Sequence, residues 1–486
     1  MEKTYRVAVI GGGITGLTAA RRLMQQADHL QMQTEITIYE AANRLGGKVL
    51  TYRDGGLTLE AGPDSMLARK PAGMRLLQEL GLASEIVYTN SAASQTYIAR
   101  NAELVPMPSG TFIGIPMNVS AFLQTDLLSS QGKLRALFDI CLPGSKLEED
   151  VSLGAYLRAR LGHEWVEQLG EPLLAGIYAG RVDDLSLQAT WQQIVQLGTE
   201  YRSLIVGARA MRKRQSTPSN NSGRSAFMTV RGGLETVIER LADVLADKVH
   251  IALGHQVTRV APTVRGYTLV IKSAGEVEEK AFDAVIVCTP VDTMKRLLQT
   301  YLPRRDNPFD VPYVSTATVI LGYPKSHVKV DLSKASGFLV PRSENRAITA
   351  STWTSSKWPH TTTEDYVVLR CYVGRAGQAS HLALADHEMV RAVHQDVKDL
   401  VGISPSPVFS KVTRWDNSMP NYLVGHLTRL QQLKQDLVES LPGVFVAGGG
   451  YEGLGLPDCI VQGESAAEAV WAHLLQHHGD RQEVMS

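Results

Sequence analysis

The chain has 486 residues, 44% of them apolar, with 49 basic and 49 acidic side chains. That length predicts two or three domains with ample core, and the balanced charge gives no global reason to expect nucleic acid as a partner. Cys141, Cys288, Cys371 and Cys459 are widely spaced, with no CxxC pair and no zinc-type arrangement, so free thiols in a reducing cytoplasm and no metal are expected. The opening "MEKTYRVAVIGGG" enters an apolar strand at once, which argues against a signal peptide. No uninterrupted apolar stretch reaches the roughly 18–20 residues of a membrane span. A cytoplasmic protein without a transmembrane segment is expected, and a peripheral membrane contact stays open.

In chain order, Tyr5–Ile10 reads as a buried strand and Ile14–Gln26 as a helix with Leu17, Ala20 and Leu23 on its apolar face. Glu35–Tyr39 alternates as a second strand ending at Glu40, which completes a βαβ unit. From 88 to 210 helical periodicities dominate, as in "SLGAYLRARLGHEWVEQLGEPLLAGIYAG". The polar, basic run at 207–225 lacks apolar periodicity and predicts a mobile surface loop. Helix returns at 231–247, followed by the strand-like runs "VHIAL", "HQVTRVAP", "YTLVIKS" and "AFDAVIVCTP". Alternating β patterns fill 311–415, with an amphipathic helix near 386–400. "GVFVAGGG" is a strand running into glycines, and "IVQGESAAEAVWAHLLQH" is a terminal helix.

These elements predict an α/β fold: a Rossmann-like dinucleotide-binding domain in three separated segments, a β-rich substrate domain and a mostly helical insertion. The expected layout is 1–65, 229–290 and 411–476 for the cofactor domain, and 66–87 with 291–410 for the substrate domain. The insertion is expected at 88–210, the loop at 211–228 and a polar tail at 477–486.

Gly11, Gly12, Gly13, Ile14, Thr15 and Gly16 fit G-x-G-x-x-G between a strand and a helix. The first glycine permits the turn, the second lets backbone approach a pyrophosphate, and the third packs helix on strand. The helix N-terminus then offers N–H groups and partial positive charge to phosphates. Glu40 stands where an acid accepts from a ribose 2′-hydroxyl and repels the extra phosphate of NADP. FAD and NAD share this adenosine diphosphate. The run "EAANRLGGKVLT" then puts Arg44 and Gly46-Gly47 beyond the acid, where backbone and guanidinium can complete a pyrophosphate clamp.

At this run the sequence resembles the flavin amine oxidase superfamily, which shares a motif like E-A-x-x-R-x-G-G. The resemblance implies FAD, with a second glycine-rich turn, "AGGGYEGLGLPDCI", beside the flavin end. A helix expected to begin near Cys459–Ile460 would aim its dipole at the flavin. The runs "LEAGPDSMLARK", "GIYAG", "TVRGGLETV", "PNYLVGHLTRL" and "GLGLPDCIVQGESAAE" resemble the protoporphyrinogen oxidase family. Within it they look most like the Gram-positive, oxygen-dependent coproporphyrinogen III oxidases. This implies oxidation of a porphyrinogen to a porphyrin in heme biosynthesis, with O₂ as acceptor and H₂O₂ as product. It also leaves room for transient contact with the next enzyme of that pathway.

Carried over by position, the resemblance implies FAD contacts at Gly11–Gly16, Glu40, Ala41, Gly47, Lys48, Gly62, Pro63, Asp64 and Ser65. It also implies contacts at Val257, which would meet adenine, at Trp415 near the flavin, and at Gly449, Tyr451 and Ile460. Where many members carry an acid after the first C-terminal glycine pair, this chain has Gly448-Gly449-Gly450. An apolar pocket for the macrocycle needs cations for carboxylates at its mouth, and Arg69 and Lys70 are the candidates. Ile177 and Tyr178 of "GIYAG" would approach the substrate. No catalytic side chain is required, because flavin carries the chemistry; His163, His255 and His426 read as structural.

Rival readings are a flavin amine oxidase, with Trp415 and Tyr451 as a substrate-facing aromatic pair, a carotenoid desaturase, and a non-catalytic FAD-binding partner protein. Protoporphyrinogen IX is the alternative substrate.

Overall fold

Strands Val249–Leu253, Thr34–Glu40, Tyr5–Ile10, Ala284–Val287 and Val444–Val446 lie side by side in that order, every neighbouring pair parallel. In this computed structural model the described residues are 4–485 apart from 145, 146, 148 and 216–224. Short β-branched runs such as "AVIV" suit a sheet covered on both faces. Val7 and Val9 point into one core, with Leu17 and Leu23 of helix Ile14–Leu30, Leu241 of helix Glu235–Leu245 and Val470 of helix Leu456–Met485. Ala8 and Ile10 point the other way, into a core shared with an antiparallel three-stranded layer, 256–263, 266–273 and 276–282, and with helices Val291–Leu298 and His426–Ser440. The period-2 alternation of one strand thus builds two cores.

A second sheet has seven strands, ordered 409–420, 313–324, 366–373, 348–353, 335–339, 95–100 and 103–106. Its core closes under helix Asp386–Val401 through Met389, Val393 and Val397. A third core gathers helices Leu153–Leu161, Leu187–Glu200 and Leu204–Gln215 around Leu157, Trp165 and Ile205. The α/β fold with a Rossmann-like sheet, a β-rich body and a helical body is as expected.

Several local expectations are corrected. Gln95–Arg100 and Glu103–Pro106 are sheet strands, so the helical run starts at Val119 rather than at 88. Their alternation is short and weak, and pairing with 335–339 decides their state. Residues 207–215 are not loop but part of helix Leu204–Gln215, anchored by buried Leu204, Ile205 and Ala208. Of the rest of the expected loop, 216–224 lies outside the described residues, and its end at 227–228 belongs to strand Phe227–Val230. The terminal helix runs Leu456–Met485, through most of the stretch expected as a polar tail. Among the described residues no helix is long and apolar enough to cross a membrane.

Candidate cofactor and active site

Gly11 turns the chain with φ +109°, and a Cβ on Gly16 would meet the carbonyl of Gly11. Position 16 therefore admits only glycine, and helix Ile14–Leu30 starts hard against the turn. Its N-cap, Gly13, brings no side-chain hydrogen bond, and no acid stands in its first turn. A Cβ on Gly13 would meet nothing within 4 Å, so the helix N-terminus opens onto space. That combination fits a phosphate. The partner carboxylate is already oriented: Glu40 accepts from Gly12 N–H at 2.7 Å and Ala42 N–H at 2.8 Å.

The loop after Glu40 doubles back onto the first turn. Gly46 N–H donates to Gly12 O at 2.9 Å, and Gly47 is exposed, its Cβ position 3.6 Å from Gly13 Cα. Arg44 departs from its expected role. Its guanidinium donates to the carbonyls of Leu45 and Val49 at 3.0 and 3.1 Å, and to Gly47 O. The fork is spent on the carbonyls of its own loop, so Arg44 shapes the clamp that Gly47 presents. Lys48 donates to Ser418 O and stands 5.7 Å from the Tyr313 ring centroid. Crowding by protein lowers its pKa. Beyond the acid, Gly254 N–H donates to Ala42 O and His255 N–H to Glu40 O, which brings buried Val257 to the Glu40 end of the sheet.

Residues 61–65 are held by the seven-stranded sheet. Ala61 O accepts from Trp415 Nε1 at 3.0 Å and from Thr318 Oγ1 at 2.9 Å, and Gly62 O accepts from Arg370. A Cβ on Gly62 would strike Lys48 O, so this loop touches the clamp. Pro63 is half-buried between them. Asp64 accepts from Lys357 Nζ at 2.9 Å, from Trp358 Nε1 at 3.3 Å and, on its other oxygen, from Ser65 at 2.7 Å. Burial alone would raise its pKa, but Lys357 and Arg370 outweigh it and hold the carboxyl well below the usual range.

The carboxyl-terminal turn meets the amino-terminal one. A Cβ on Gly448 would lie 3.8 Å from Thr15 Oγ1 and 3.9 Å from Cys288 O. Tyr422 donates from Oη to Gly449 O at 2.7 Å and accepts from Gly453 N–H at 3.0 Å. Gln462 Oε1 accepts from Gly448 and Glu452 N–H, while its Nε2 donates to Gly453 O. His426, fully buried, donates from Nε2 to Tyr451 O at 2.7 Å and holds the turn as a structural histidine does. Sequence reasoning did not single out Tyr422, Gln462, Lys357 or Arg370 for this work. Tyr422 and Gln462 sit inside the quoted runs "PNYLVGHLTRL" and "GLGLPDCIVQGESAAE", whereas Lys357 and Arg370 act across some 300 residues, which no local pattern carries.

Three expectations change here. The helix begins at Leu456, not near Cys459–Ile460; Pro457 brings no N–H, and the amides of Asp458 and Cys459 already bond Gly455 O. Ile460 is wholly buried in the first core, so its side chain packs the fold. Tyr451 is 1% exposed and its ring stacks on Phe309 at 5.8 Å; the apolar neighbourhood draws it inward and leaves Trp415 without that aromatic partner.

Of the candidate substrate residues, Lys70 is committed to Asp458 at 2.5 Å, while Arg69 is exposed and donates to Gln193 at 3.3 Å. Ile177 is 45% exposed at the end of helix Glu171–Tyr178. The Tyr178 hydroxyl donates to Thr190 O at 2.8 Å, and burial raises its pKa far above the usual range.

The profile of the flavin containing amine oxidoreductase family matches residues 14–471. The chain is 38% identical to the coproporphyrinogen III oxidase of Bacillus subtilis (strain 168), over 96% of this chain and 98% of that one. It is 36% identical to the coproporphyrinogen III oxidase of Staphylococcus aureus, covering 97% and 100%. A crystal structure from Exiguobacterium sp. 255-15, provisionally named a protoporphyrinogen oxidase, superposes with a TM-score of 0.84 at 34% identity, covering 97% and 99%. Putrescine oxidase bound to putrescine shares the fold at a TM-score of 0.66 and 16% identity, covering 97% and 100%. Matched by that profile over most of its length, the chain belongs to the flavin containing amine oxidoreductases.

Proposed function

We propose that this flavin-dependent oxidoreductase uses FAD to oxidise coproporphyrinogen III to coproporphyrin III in heme biosynthesis, in the cytoplasm. Six hydrogens leave the macrocycle in three two-electron steps, and three O₂ become three H₂O₂. The observation that carries the reading is the abutment of the two glycine turns at Thr15 and Gly448. It makes one continuous cradle from the uncapped helix N-terminus to the 449–453 turn, as a long dinucleotide needs. The names of relatives at 38% and 36% identity support the substrate class.

Bound FAD supplies a two-electron acceptor that O₂ can reoxidise. Everything else falls to the chain. Gly13 and the N-terminus of helix Ile14–Leu30 receive the diphosphate, and Gly47 closes over it. Glu40, fixed by the amides of Gly12 and Ala42, accepts from a ribose hydroxyl. Val257 borders the adenine. Gly62–Ser65, Trp415 and the 449–453 turn border the isoalloxazine, with Lys48 between them. Exposed Ile177 faces the macrocycle, and Arg69 offers an accessible cation to a propionate. No side chain is assigned as a general base.

The inward Tyr451 ring weighs against the aromatic pair of an amine oxidase. The test is porphyrin fluorescence in air with each porphyrinogen separately, corrected for autoxidation, with peroxide measured alongside. Faster turnover of coproporphyrinogen supports the proposal. Preference for protoporphyrinogen moves the substrate, and no acceleration with FAD bound overturns porphyrinogen oxidation.

A further inference from the structure

The turn assigned to the macrocycle and the turn assigned to the flavin are tied to neighbouring residues of one buried segment. Asn421, 5% exposed, donates from Nδ2 to Tyr178 O at 3.1 Å. A Cβ on Gly180 would strike Asn421 Oδ1, so the amide fits closely against the 178–180 turn. Ala179 within that turn holds φ +51°, a left-handed conformation that needs support in a residue with a Cβ.

Tyr422, 1% exposed, bridges Gly449 O and Gly453 N–H with its hydroxyl. Its ring stacks on His426 at 4.1 Å, and His426 holds Tyr451 O. Its own carbonyl accepts from Ser186 N–H at 2.7 Å, and Asn421 N–H donates to Pro312 O at 2.9 Å. The dipeptide is therefore gripped by the helical body on one side and the β-rich body on the other. Neither side chain can shift without moving the turn it holds.

We propose that Asn421 and Tyr422 are positioning residues that couple the two turns, so that occupancy of the macrocycle site tightens retention of the flavin cofactor. The proposal rests on the porphyrinogen reading for the identity of the first ligand. Coupling of this kind is reciprocal: each ligand improves the affinity of the other by the same factor. Removing the Asn421 link leaves both sites but separates them, whereas removing the Tyr422 hydroxyl loosens the flavin turn alone.

The test uses purified holoenzyme with coproporphyrin III, the product, as the probe. FAD released on dilution is separated by filtration and quantified, with and without saturating porphyrin. In the unaltered chain, porphyrin is expected to slow FAD release about fivefold, the worth of one maintained hydrogen bond. Asn421→Ser is expected to keep the FAD affinity of the porphyrin-free protein, to raise KM for coproporphyrinogen with little change in kcat, and to abolish the slowing. Asn421→Asp, which sets a carboxylate against Tyr178 O, serves where the serine variant folds poorly. Tyr422→Phe is expected to release FAD about fivefold faster without porphyrin, with its melting profile intact.

Retention of the porphyrin effect in the Asn421 variants, or FAD release unchanged in Tyr422→Phe, overturns the coupling. If the unaltered chain neither binds coproporphyrin nor turns over its porphyrinogen, the function reading fails and the coupling fails with it. The Tyr422→Phe release rate then still reports whether that hydroxyl positions the flavin turn.

Discussion

Glu60 and Asp64 face the same small cavity, about 20 Å³ and room for about one water, yet their charges are driven apart. Burial pushes Glu60 up to about 7 against hydrogen bonds from Leu234 N–H at 2.6 Å and Thr51 Oγ1 at 2.8 Å. Asp64 is held low by Lys357 and Arg370. Arg370, 4% exposed, stands between them on the cavity wall. One carboxylate takes the compensating cations, and the other carries the cost of desolvation.

Opposite shifts give opposite pH dependence. Glu60 binds more proton folded than unfolded between its ordinary value of 4.5 and about 7, so its stabilisation is full below that window and is lost as pH rises through it. Asp64 is the reverse: its stabilisation is present above its ordinary value of 3.8 and is lost as pH falls below it. Glu60→Gln should flatten the stability profile between about pH 5 and 7, a slope on the order of 2–3 kcal/mol. Asp64→Asn should flatten only the acid limb and cost about 3 kcal/mol at neutral pH by stranding Lys357 and Arg370. Urea unfolding at several pH values checks both, and an unchanged Glu60→Gln slope refutes the assignment.

Gly13 and Gly16 separate binding from folding. A methyl at Gly13 enters open space, and its φ of −74° suits alanine. Gly13→Ala should therefore melt like the parent apoprotein but bind FAD on the order of tenfold more weakly, the methyl standing where phosphate would. Gly16→Ala drives a methyl into Gly11 O and should give insoluble or cofactor-free protein. Equal FAD affinity in Gly13→Ala would remove the phosphate from this turn.

The period-2 and period-3.6 segments were legible in the sequence because their own apolar spacing decides them. Tyr5–Ile10, helix 386–401 and the glycine turn fall where the pattern puts them. Strands 95–106 were not, since their state depends on a partner some 240 residues away. Helix 204–215 was hidden by its basic run, "RAMRKR", although Leu204 and Ile205 are buried. In the site, glycines and Glu40 are readable because backbone geometry demands them. The partners of Arg44 and Lys70 were not legible for a shared reason: a cation's partner is chosen in three dimensions, and theirs are the carbonyls of Leu45, Gly47 and Val49, and Asp458.

Tyr451→Phe tests the inward ring. The hydroxyl is buried with no hydrogen-bond partner among the described residues, so it carries a desolvation cost that phenylalanine would lift. Thermal stability should hold or rise by about 1 kcal/mol, with kcat/KM unchanged. A clear loss of turnover with FAD retained would put the hydroxyl in the chemistry and revive the aromatic-pair reading.

Arg342 braces the 178–180 turn from the other side. Its guanidinium pairs with Glu171 at 2.5 Å and donates to Ala376 O at 2.7 Å and Gly180 O at 3.3 Å. Glu171 opens the helix that ends at Tyr178, so a single fork fixes both ends of that helix against the sheet. Arg342→Met leaves a largely buried carboxylate unpaired and should cost about 3 kcal/mol in urea unfolding. Arg342→Lys keeps the charge but not the fork, so it should regain part of that stability. Both should raise KM for the porphyrinogen more than they lower kcat, since the flavin turn is untouched. A fall in kcat at constant KM in the lysine variant would mean that Arg342 acts on the reacting centre itself.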